Sequence, residues 1–394
     1  MLTKDDMCKE MGNYQLFFHR FDNYSHLIIY GAGGYGKTIY NVMKNIINIK
    51  SFIDNNLKKQ QEGYLGLPVY PEHELGNLVT NDSALIIGFR AKEEVDDLLN
   101  KLETKYNFKR NENLFSEEVF ENILSEEYLK MIYRTEFGKE LNFENPKTYN
   151  EKLQWLKLYN QKPEYTNMAD KYKVRKIIAD KIGEEYLIPL LGVYDKFEDI
   201  KFDKLPNQFV LKCNHDCNSV QICKDKKVFD FAYAGLILNK CLKLNYYPHS
   251  REFVYKNIKP CIIAEQYLGE VYDYRFFTFN GSVKVIGVYS GFSNVNIYDP
   301  NWEYIPMSLN NYPTDPNHTV EKPYKLNEMI KLAETLSDGI PFLRVDFYYV
   351  NNKIYFGELT FYPSNGWTIF NPERWNEIFG SYLKLPKKKV ISAC

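Results

Sequence analysis

The sequence has no apolar run that approaches the roughly 18 residues of a membrane span. Its first residues have no apolar core of the kind a secretory signal peptide requires, so we expect a cytosolic protein. An excess of one charge is also lacking, since 50 basic residues stand against 51 acidic ones. This balance leaves no broad positive field and argues against a nucleic-acid partner.

Cysteine is scarce, with seven residues in the chain. An odd count in a reducing compartment argues against a disulfide framework. Cys213, His215, Cys217 and Cys223 lie close together in sequence, but their spacing fits no paired zinc signature. We therefore do not expect zinc.

The N-terminal region has the pattern of a nucleotide-binding βα unit. An apolar strand at 26–30 leads into a turn with Gly31, Gly33 and Gly36, then a helical pattern over 37–49 and a strand over 50–53. The next expected elements are a strand at 84–88 and a helix at 91–105. Glycines at this spacing let backbone N–H groups approach a phosphate, and a valine at position 33 should crowd the turn. We predict a small Rossmann-like domain over 1–122, too short for a full dinucleotide fold.

This segment resembles the N-terminal domain of sugar acyltransferases of the PglD type. The resemblance implies a nucleotide-sugar such as a UDP-sugar at Gly31, Gly33 and Gly36. The alternative is a turn that packs tightly and binds no ligand.

The rest of the chain has helices first and antiparallel strands afterwards, which predicts an α+β domain over 123–394. The expected helices are 125–138, 142–160 with Pro146 near its start, 167–183, 227–242 and 324–337. The expected strands are 187–194, 209–214, 220–223, 261–268, 274–280, 283–289 and the two arms of a hairpin within 344–366.

The hairpin has one carboxylate on each arm, Asp346 and Glu358. A three-residue loop would place the two acids opposite each other, whereas a two-residue loop would put them on opposite faces. Neighbouring acids repel unless a positive group lies between them, and Mg²⁺ with oxygen ligands fits that requirement. The alternative is a pair of solvated acids on an edge hairpin.

Several cations and one further acid have positions suited to phosphate chemistry. Lys212 ends an apolar strand just before a polar loop that contains His215, and such a loop can donate N–H groups to phosphates. Glu265 closes another apolar strand, where it could accept from an amine or a ribose hydroxyl. Arg275 follows Asp273 on one strand face, and Arg344 precedes Asp346, where it could meet a transferring phosphoryl group.

Taken in order, these features resemble the TupA-like family of the ATP-grasp superfamily, over about two-thirds of the chain. The resemblance rests on the strings NPKTYNEKLQWLKLY, ADKYKVR, IPLLGVYD, LPNQFVLKCNHD, IIAEQYL, DYRFFTFNG, RVDFY and FGELTFYPSNG. It implies an α/β plus α+β fold, with the Rossmann-like domain followed by an ATP-grasp fold. It implies these roles: Lys171 and Lys212 contact ATP phosphates; His215 belongs to the nucleotide-binding residues; Glu265, Tyr267 and Leu268 form the adenine hinge; Asp346 and Glu358 hold Mg²⁺; and Arg344, Arg275 and Lys212 are catalytic.

Two departures from the superfamily pattern stand out. Thr360 replaces an asparagine that often follows the second metal acid, which puts a third metal ligand in doubt. The segment from Asp216 to Ser219 has no glycine, although the loop that covers the phosphates is often glycine-rich. We therefore expect reduced activity or a different closing loop.

By resemblance, the expected activity is an ATP-dependent ligase that joins the carboxylate of a uronic acid sugar to an amine through an acyl phosphate, in surface-polysaccharide synthesis. A kinase that stops at phosphorylation is one alternative. A glycosyltransferase is another, but the chain lacks the Asp-x-Asp triplet common in such enzymes. A scaffold that only binds a nucleotide-sugar through the glycine turn is a third.

Overall fold

The computed structural model describes residues 21–44, 47–88, 92–106, 108–110, 112–116, 125–217, 219–290, 294–314 and 320–388. The chain forms two compact units, Met1–Leu141 with Lys243–His249, and Asn142–Leu242 with Ser250–Cys394. The helix after the expected boundary at residue 122 thus groups with the first unit, and the domain limits stay a prediction. No helix within the described ranges is long and apolar enough to cross a bilayer.

The first unit contains a five-stranded parallel sheet in the order β3-β2-β1-β4-β5. Buried aliphatic residues on both central strands, such as Ile28 and Leu85, form its core. This arrangement confirms the Rossmann-like fold. Its elements are β1 His26–Tyr30, α1 Gly34–Met43, β2 Asn48–Ile53, α2 Leu57–Glu62, β3 Val69–Tyr70, α3 Leu75–Leu78, β4 Ser83–Ile87, α4 Lys92–Tyr106, β5 Leu114–Phe115 and α5 Ser125–Phe137.

The first unit departs from the sequence prediction at the first helix. Helix α1 ends at Met43, so the expected helix over 37–49 is too long, and β2 begins at Asn48. The cause is that Ile49 lies in register with Leu27 of β1, so parallel sheet pairing overrides the local helical pattern. Ala91, the expected start of the next helix, lies outside the described residues.

The glycine turn depends on Gly36 rather than Gly33. A Cβ atom on Gly36 would lie 1.9 Å from the Gly31 carbonyl oxygen, whereas one on Gly33 would have no neighbour within 4 Å. Gly33 also has extended backbone angles, so the expected crowding by a valine there is wrong. The Ala32 N–H donates to Asp54 Oδ2 at 2.8 Å, so the acid at the end of β2 holds the turn in place.

We predict that Gly36→Ala destabilises the first unit by about 3 kcal/mol, because helix α1 must move away from the Gly31 carbonyl. Gly33→Ala is the matched control and should cost no more than about 1 kcal/mol, the usual effect at a helix N-cap. Far-UV circular dichroism during urea unfolding would measure both. Equal losses in the two variants would contradict the assignment.

The second unit contains two antiparallel sheets, ordered β6-β9-β7-β8 and β12-β11-β10-β14-β15, and a short β13-β16 pair. The helices are α6 Tyr149–Tyr159, α7 Pro163–Ala169, α8 Val174–Lys181, α9 Phe231–Leu242, α10 Tyr247–Ser250, α11 Leu326–Ser337 and α12 Arg374–Tyr382. The residues of α10 are divided between the two units. The strands are β6 Leu190–Tyr194, β7 Phe209–Cys213, β8 Gln221–Cys223, β9 Ile262–Gln266, β10 Tyr272–Phe279, β11 Ser282–Ser290, β12 Asn294–Tyr298, β13 Ser308–Leu309, β14 Phe342–Val350, β15 Lys353–Thr360 and β16 Phe370–Asn371.

Three predicted helices differ from the structure in this unit. The helix expected over 227–242 begins only at Phe231. Helix α6 begins at Tyr149 rather than near Pro146, because Thr148 and Glu151 form a reciprocal capping box. The expected helix over 167–183 is broken into α7 and α8, and Asp170 lies in extended conformation at the break. This break positions Lys171 outside both helices.

Candidate active site

The hairpin β14–β15 places Asp346 opposite Glu358, one of the two arrangements that the sequence left open. The turn has two residues, Asn351 and Asn352, both with positive φ, which is the loop length that by itself would put the acids on opposite faces. A β-bulge restores the pairing, since Phe347 faces Phe356 and Gly357 is left over. The extra residue returns Glu358 to the face that bears Asp346; these two residues are called the acid pair below.

Arg344 supplies the positive charge that the acid pair needs. Its Nε and Nη2 donate to Asp346 Oδ1 at 2.8 Å and Oδ2 at 2.6 Å, and Nη2 also donates to Glu358 Oε1 at 2.8 Å. Thr360 donates to the same Glu358 oxygen at 3.1 Å. One guanidinium therefore bridges both carboxylates, while Thr360 orients the second.

Arg275 and Lys171 complete the charge distribution around the acid pair. Arg275 lies opposite Asp346 in the sheet, and its Nε donates to Asp273 at 2.8 Å and lies 3.8 Å from Asp346 Oδ2. Lys171 Nζ lies 3.3 Å from Glu358 Oε2. The cluster balances three basic against three acidic side chains: Arg275, Arg344 and Lys171 against Asp273, Asp346 and Glu358.

The two acids titrate differently because their surroundings differ. Burial raises the pKa of Asp346 above its ordinary value, even though the Arg344 charge acts against this. Burial also acts to raise the pKa of Glu358, but the positive charges of Lys171 and Arg344 outweigh it and hold that pKa well below its usual range. For Lys171, burial acts to lower the pKa, and the charges of Glu358 and Asp216 more than reverse it. Glu358 and Lys171 therefore stay charged at neutral pH.

The break between α7 and α8 carries Lys171 to this place. Asp170 Oδ1 accepts from the N–H groups of Tyr172 at 2.9 Å and Lys173 at 3.2 Å, and from Asn214 Nδ2 at 2.9 Å. The Lys171 N–H donates to the Asn214 carbonyl, and its Nζ donates to the Asp216 carbonyl at 2.6 Å. Lys171 thus connects the loop after β7 with the acid on β15.

A second charged cluster surrounds Glu265 on the other sheet. Lys212 Nζ lies 2.7 Å from Glu265 Oε2, and Arg175 Nη1 donates to Oε1 at 3.0 Å. Arg175 Nη2 is fixed by the Ile188 carbonyl at 2.7 Å. Two cations against one carboxylate leave this cluster with excess positive charge.

Three other predicted residues border this cluster in sequence. His215 is buried in the loop after β7, next to Asn214. Tyr267 and Leu268 were expected to end a strand, but β9 stops at Gln266, whose N–H donates to the Pro189 carbonyl. Tyr267 and Leu268 therefore follow directly after the end of β9.

The sequence reasoning missed two residues of this site. Arg175 lies four residues after Lys171, and the continuous helix expected over 167–183 would have put both side chains on one face. Tyr348 lies two residues after Asp346 in β14, which puts it on the same strand face. Burial raises the pKa of Tyr348 well above its usual value, and the charges of Glu358, Asp346 and Glu265 add to this effect. Tyr348 therefore lies within electrostatic reach of both clusters.

Comparison with family models finds two matches along the chain. A model described as TupA-like ATPgrasp matches residues 151–384, and one described as the PglD N-terminal domain matches residues 26–89. No curated protein matches significantly. The first match covers more than half of the chain and includes both charged clusters.

The solved structures to which the chain shows similarity include three ligases. The D-alanine–D-alanine ligase from Bacillus anthracis has 15% identity and a TM-score of 0.31, with 85% of each chain covered. The L-amino acid ligase from Bacillus licheniformis has 14% identity and a TM-score of 0.32, covering 88% of this chain and 69% of that one. The D-alanine–D-alanine ligase from Helicobacter pylori has 12% identity and a TM-score of 0.33, covering 92% and 100%. Likenesses this distant say nothing about substrates.

Proposed function

Because the chain belongs to the TupA-like ATP-grasp family, we propose that it joins a carboxylate to an amine at the expense of ATP. The observation that carries this proposal is the bridged acid pair, with Arg344 between Asp346 and Glu358, next to Lys171. In the proposed reaction, a carboxylate oxygen attacks the γ-phosphorus and the bond to the bridging oxygen breaks, so that ADP leaves. The amine then attacks the acyl carbon, phosphate leaves and the amine proton is released.

The acid pair is chemically suited to Mg²⁺. Carboxylate oxygens are ligands that Mg²⁺ prefers. The Arg344 guanidinium between Asp346 and Glu358 shows that the two carboxylates together stabilise a positive charge. Asp273 Oδ1 is buried without a hydrogen-bond partner in the described residues, so a further oxygen nearby is unused. No cluster of three or more metal-binding side chains exists within that part of the chain. Asp346 and Glu358 would therefore hold the ion together with phosphate and water oxygens, and the ion would neutralise phosphate charge.

The protein's own cations would bind the nucleotide and stabilise the transferring group. Lys171, Lys212 and His215 would contact ATP phosphates, and the chain at Glu265, Tyr267 and Leu268 would bind the adenine. Arg344 and Arg275 would face the phosphoryl group as its charge redistributes, where preorganised donors are most effective. The loop after β7 would exclude water, which would otherwise hydrolyse the acyl phosphate.

We infer the substrate class from the two family matches together. The TupA-like resemblance suggests a uronic acid sugar as the carboxylate and an amino acid or small amino alcohol as the amine, in the synthesis of a capsule or other surface polysaccharide. The PglD-type match supports a sugar nucleotide, and we propose that Gly31, Gly33 and Gly36 hold a UDP-sugar in the first unit. We place this reaction in the cytoplasm, where ATP is available.

The nucleotide product tests the proposal. The protein is incubated with ATP, Mg²⁺, a panel of UDP-uronates and a panel of amines. A ligase forms ADP and phosphate in equal amounts, only when both acceptor classes are present. ADP without free phosphate would indicate a kinase, and UDP release without ADP would indicate a glycosyltransferase; either result contradicts the ligase.

We predict that Lys212→Ala weakens ATP binding by about 1–3 kcal/mol, the usual value of a hydrogen bond to a charged group. Lys224→Ala is the matched control, since Lys224 follows the neighbouring strand and pairs with the exposed Glu270. Titration calorimetry with ATP and Mg²⁺ measures both variants. Unchanged affinity in Lys212→Ala would remove this lysine from the nucleotide site.

A further inference from the structure

A cavity of about 80 Å³ lies beside the acid pair, and both Arg275 and Arg344 line it. One buried water needs roughly 10–15 Å³ by such a measure, so this cavity has room for several water-sized groups. Phe277 and Leu309 contribute apolar wall, and Tyr149 and Tyr289 contribute phenol rings. The cavity can therefore hold a charged group together with the carbon atoms attached to it.

Tyr149 is the unusual member of this wall. Its side chain is completely buried, and no described residue accepts or donates a hydrogen bond to its hydroxyl oxygen. Four phenylalanine rings, with centroids 5.2–6.2 Å away, hold its ring in place: Phe279, Phe342, Phe370 and Phe379. A buried hydroxyl without a partner is costly, so its retention in a fixed position requires an explanation.

Tyr149 lines the same cavity as Arg275, Arg344 and Tyr289. Burial raises its pKa well above the usual value, and the electrostatic influences next in size come from Arg344 and Tyr289, which both line the cavity. The hydroxyl therefore stays protonated at physiological pH and can donate a hydrogen bond.

Both arginines that line the cavity have donors that the described residues do not use. Arg344 uses Nε and Nη2 for the acid pair, and Arg275 uses Nε for Asp273 while its guanidinium stacks 3.7 Å above the Tyr289 ring centroid. Within the described ranges, Arg344 Nη1 and both terminal nitrogens of Arg275 make no hydrogen bond. An anion in the cavity could thus receive donors from two guanidiniums and one phenol.

We propose that Tyr149 is a positioning residue for the acid substrate and donates a hydrogen bond to the carboxylate that enters this cavity. The inference rests on the proposed ligase function, to which it adds the binding site of the reacting group. A carboxylate fits better than a phosphate for two reasons. Its carbon atoms match the apolar wall, and its single charge suits a cluster whose basic and acidic side chains are already equal in number.

The test is Tyr149→Phe, which removes the hydroxyl and keeps the ring packing. In the free protein, we expect a melting midpoint equal to or higher than that of the wild type, because the lost group had no partner. Acetate and glucuronate should raise the melting midpoint of the wild type in a saturable way. The variant should need an at least about tenfold higher concentration of either for the same rise, which corresponds to one hydrogen bond to a charged group. Sodium chloride at matched ionic strength corrects for salt, and inorganic phosphate should affect both proteins equally.

Tyr165→Phe is the matched control for the loss of a buried phenol. Its hydroxyl accepts from Asn160 outside the cavity, so this variant should lose some stability and keep the wild-type response to acetate. The proposal is overturned if the wild type responds to neither carboxylate, if Tyr149→Phe responds as the wild type does, or if Tyr149→Phe melts lower than the wild type. If carboxylates bind in a Tyr149-dependent way but no ADP forms in the product assay, the proposed ligase function is refuted, whereas the proposed carboxylate site is supported.

Discussion

Asp346→Asn and Glu358→Gln should each lower turnover by about 10³-fold or more, because each removes a charged oxygen ligand from the acid pair. Both replacements keep the side-chain shape and one oxygen that can accept from Arg344, so the fold should persist. In metal-free buffer, Asp346→Asn should lower the free energy of unfolding by about 1–3 kcal/mol, because both oxygens of Asp346 accept from Arg344. Activity should therefore fall far more than stability.

Thermal melts with and without Mg²⁺–ATP separate this result from simple misfolding. The wild type should gain stability from the ligand by mass action, and both variants should gain much less. Glu270→Gln is the control, because it removes an exposed carboxylate. Equal ligand gains in all four proteins would mean that the metal binds elsewhere.

Arg344→Met should destabilise the second unit by about 3–5 kcal/mol, the usual cost of breaking a buried ion pair from one side. The change leaves Asp346 and Glu358 facing each other without the guanidinium between them. The double variant Arg344→Met with Asp346→Asn should lose less than Arg344→Met alone, because one of the two unpaired charges is then gone. Added Mg²⁺ should restore part of the loss in Arg344→Met, since it can take the place of the missing cation.

Tryptophan fluorescence during urea unfolding is the measurement for this series. All four tryptophans, Trp155, Trp302, Trp367 and Trp375, belong to the second unit, so the signal is insensitive to the first. Lys259→Met is the control, because Lys259 pairs with Asp195 at an exposed site of the second unit, and such a pair is worth no more than about 1 kcal/mol. A loss in Arg344→Met no larger than in Lys259→Met would show that the bridge contributes little.

The sequence predicted what depends on local pattern. The strand, glycine turn and helix at the N-terminus have local signals, and the Arg344-x-Asp346 spacing places both residues on one strand face. Thr148 and Glu151 formed a capping box that could have been read from the sequence as well, since the residues are three apart.

The remaining features depend on partners distant in the chain. The break at Asp170 is stabilised by Asn214, which lies 44 residues later in the chain. The local sequence around Asp170 therefore shows an uninterrupted helical pattern and does not indicate the break. The cavity combines Tyr149 with Arg275 and Arg344, which only the folded sheet brings together. Gly357 was a visible signal, because a glycine inside a strand often marks a bulge, but its effect on pairing depends on the length of the turn.

The two-residue turn and the bulge at Gly357 together decide on which face of the sheet Glu358 lies. Side chains alternate between faces, so the number of residues between Asp346 and Glu358 decides which side of the sheet receives the second acid. A one-residue insertion or deletion in this stretch would turn Glu358 away from Arg344, while a compensating second change would return it. Among homologous proteins, insertions and deletions in this stretch should therefore change its length by an even number of residues. A homologue with an odd change would keep the fold but lose the acid pair and the reaction that depends on it.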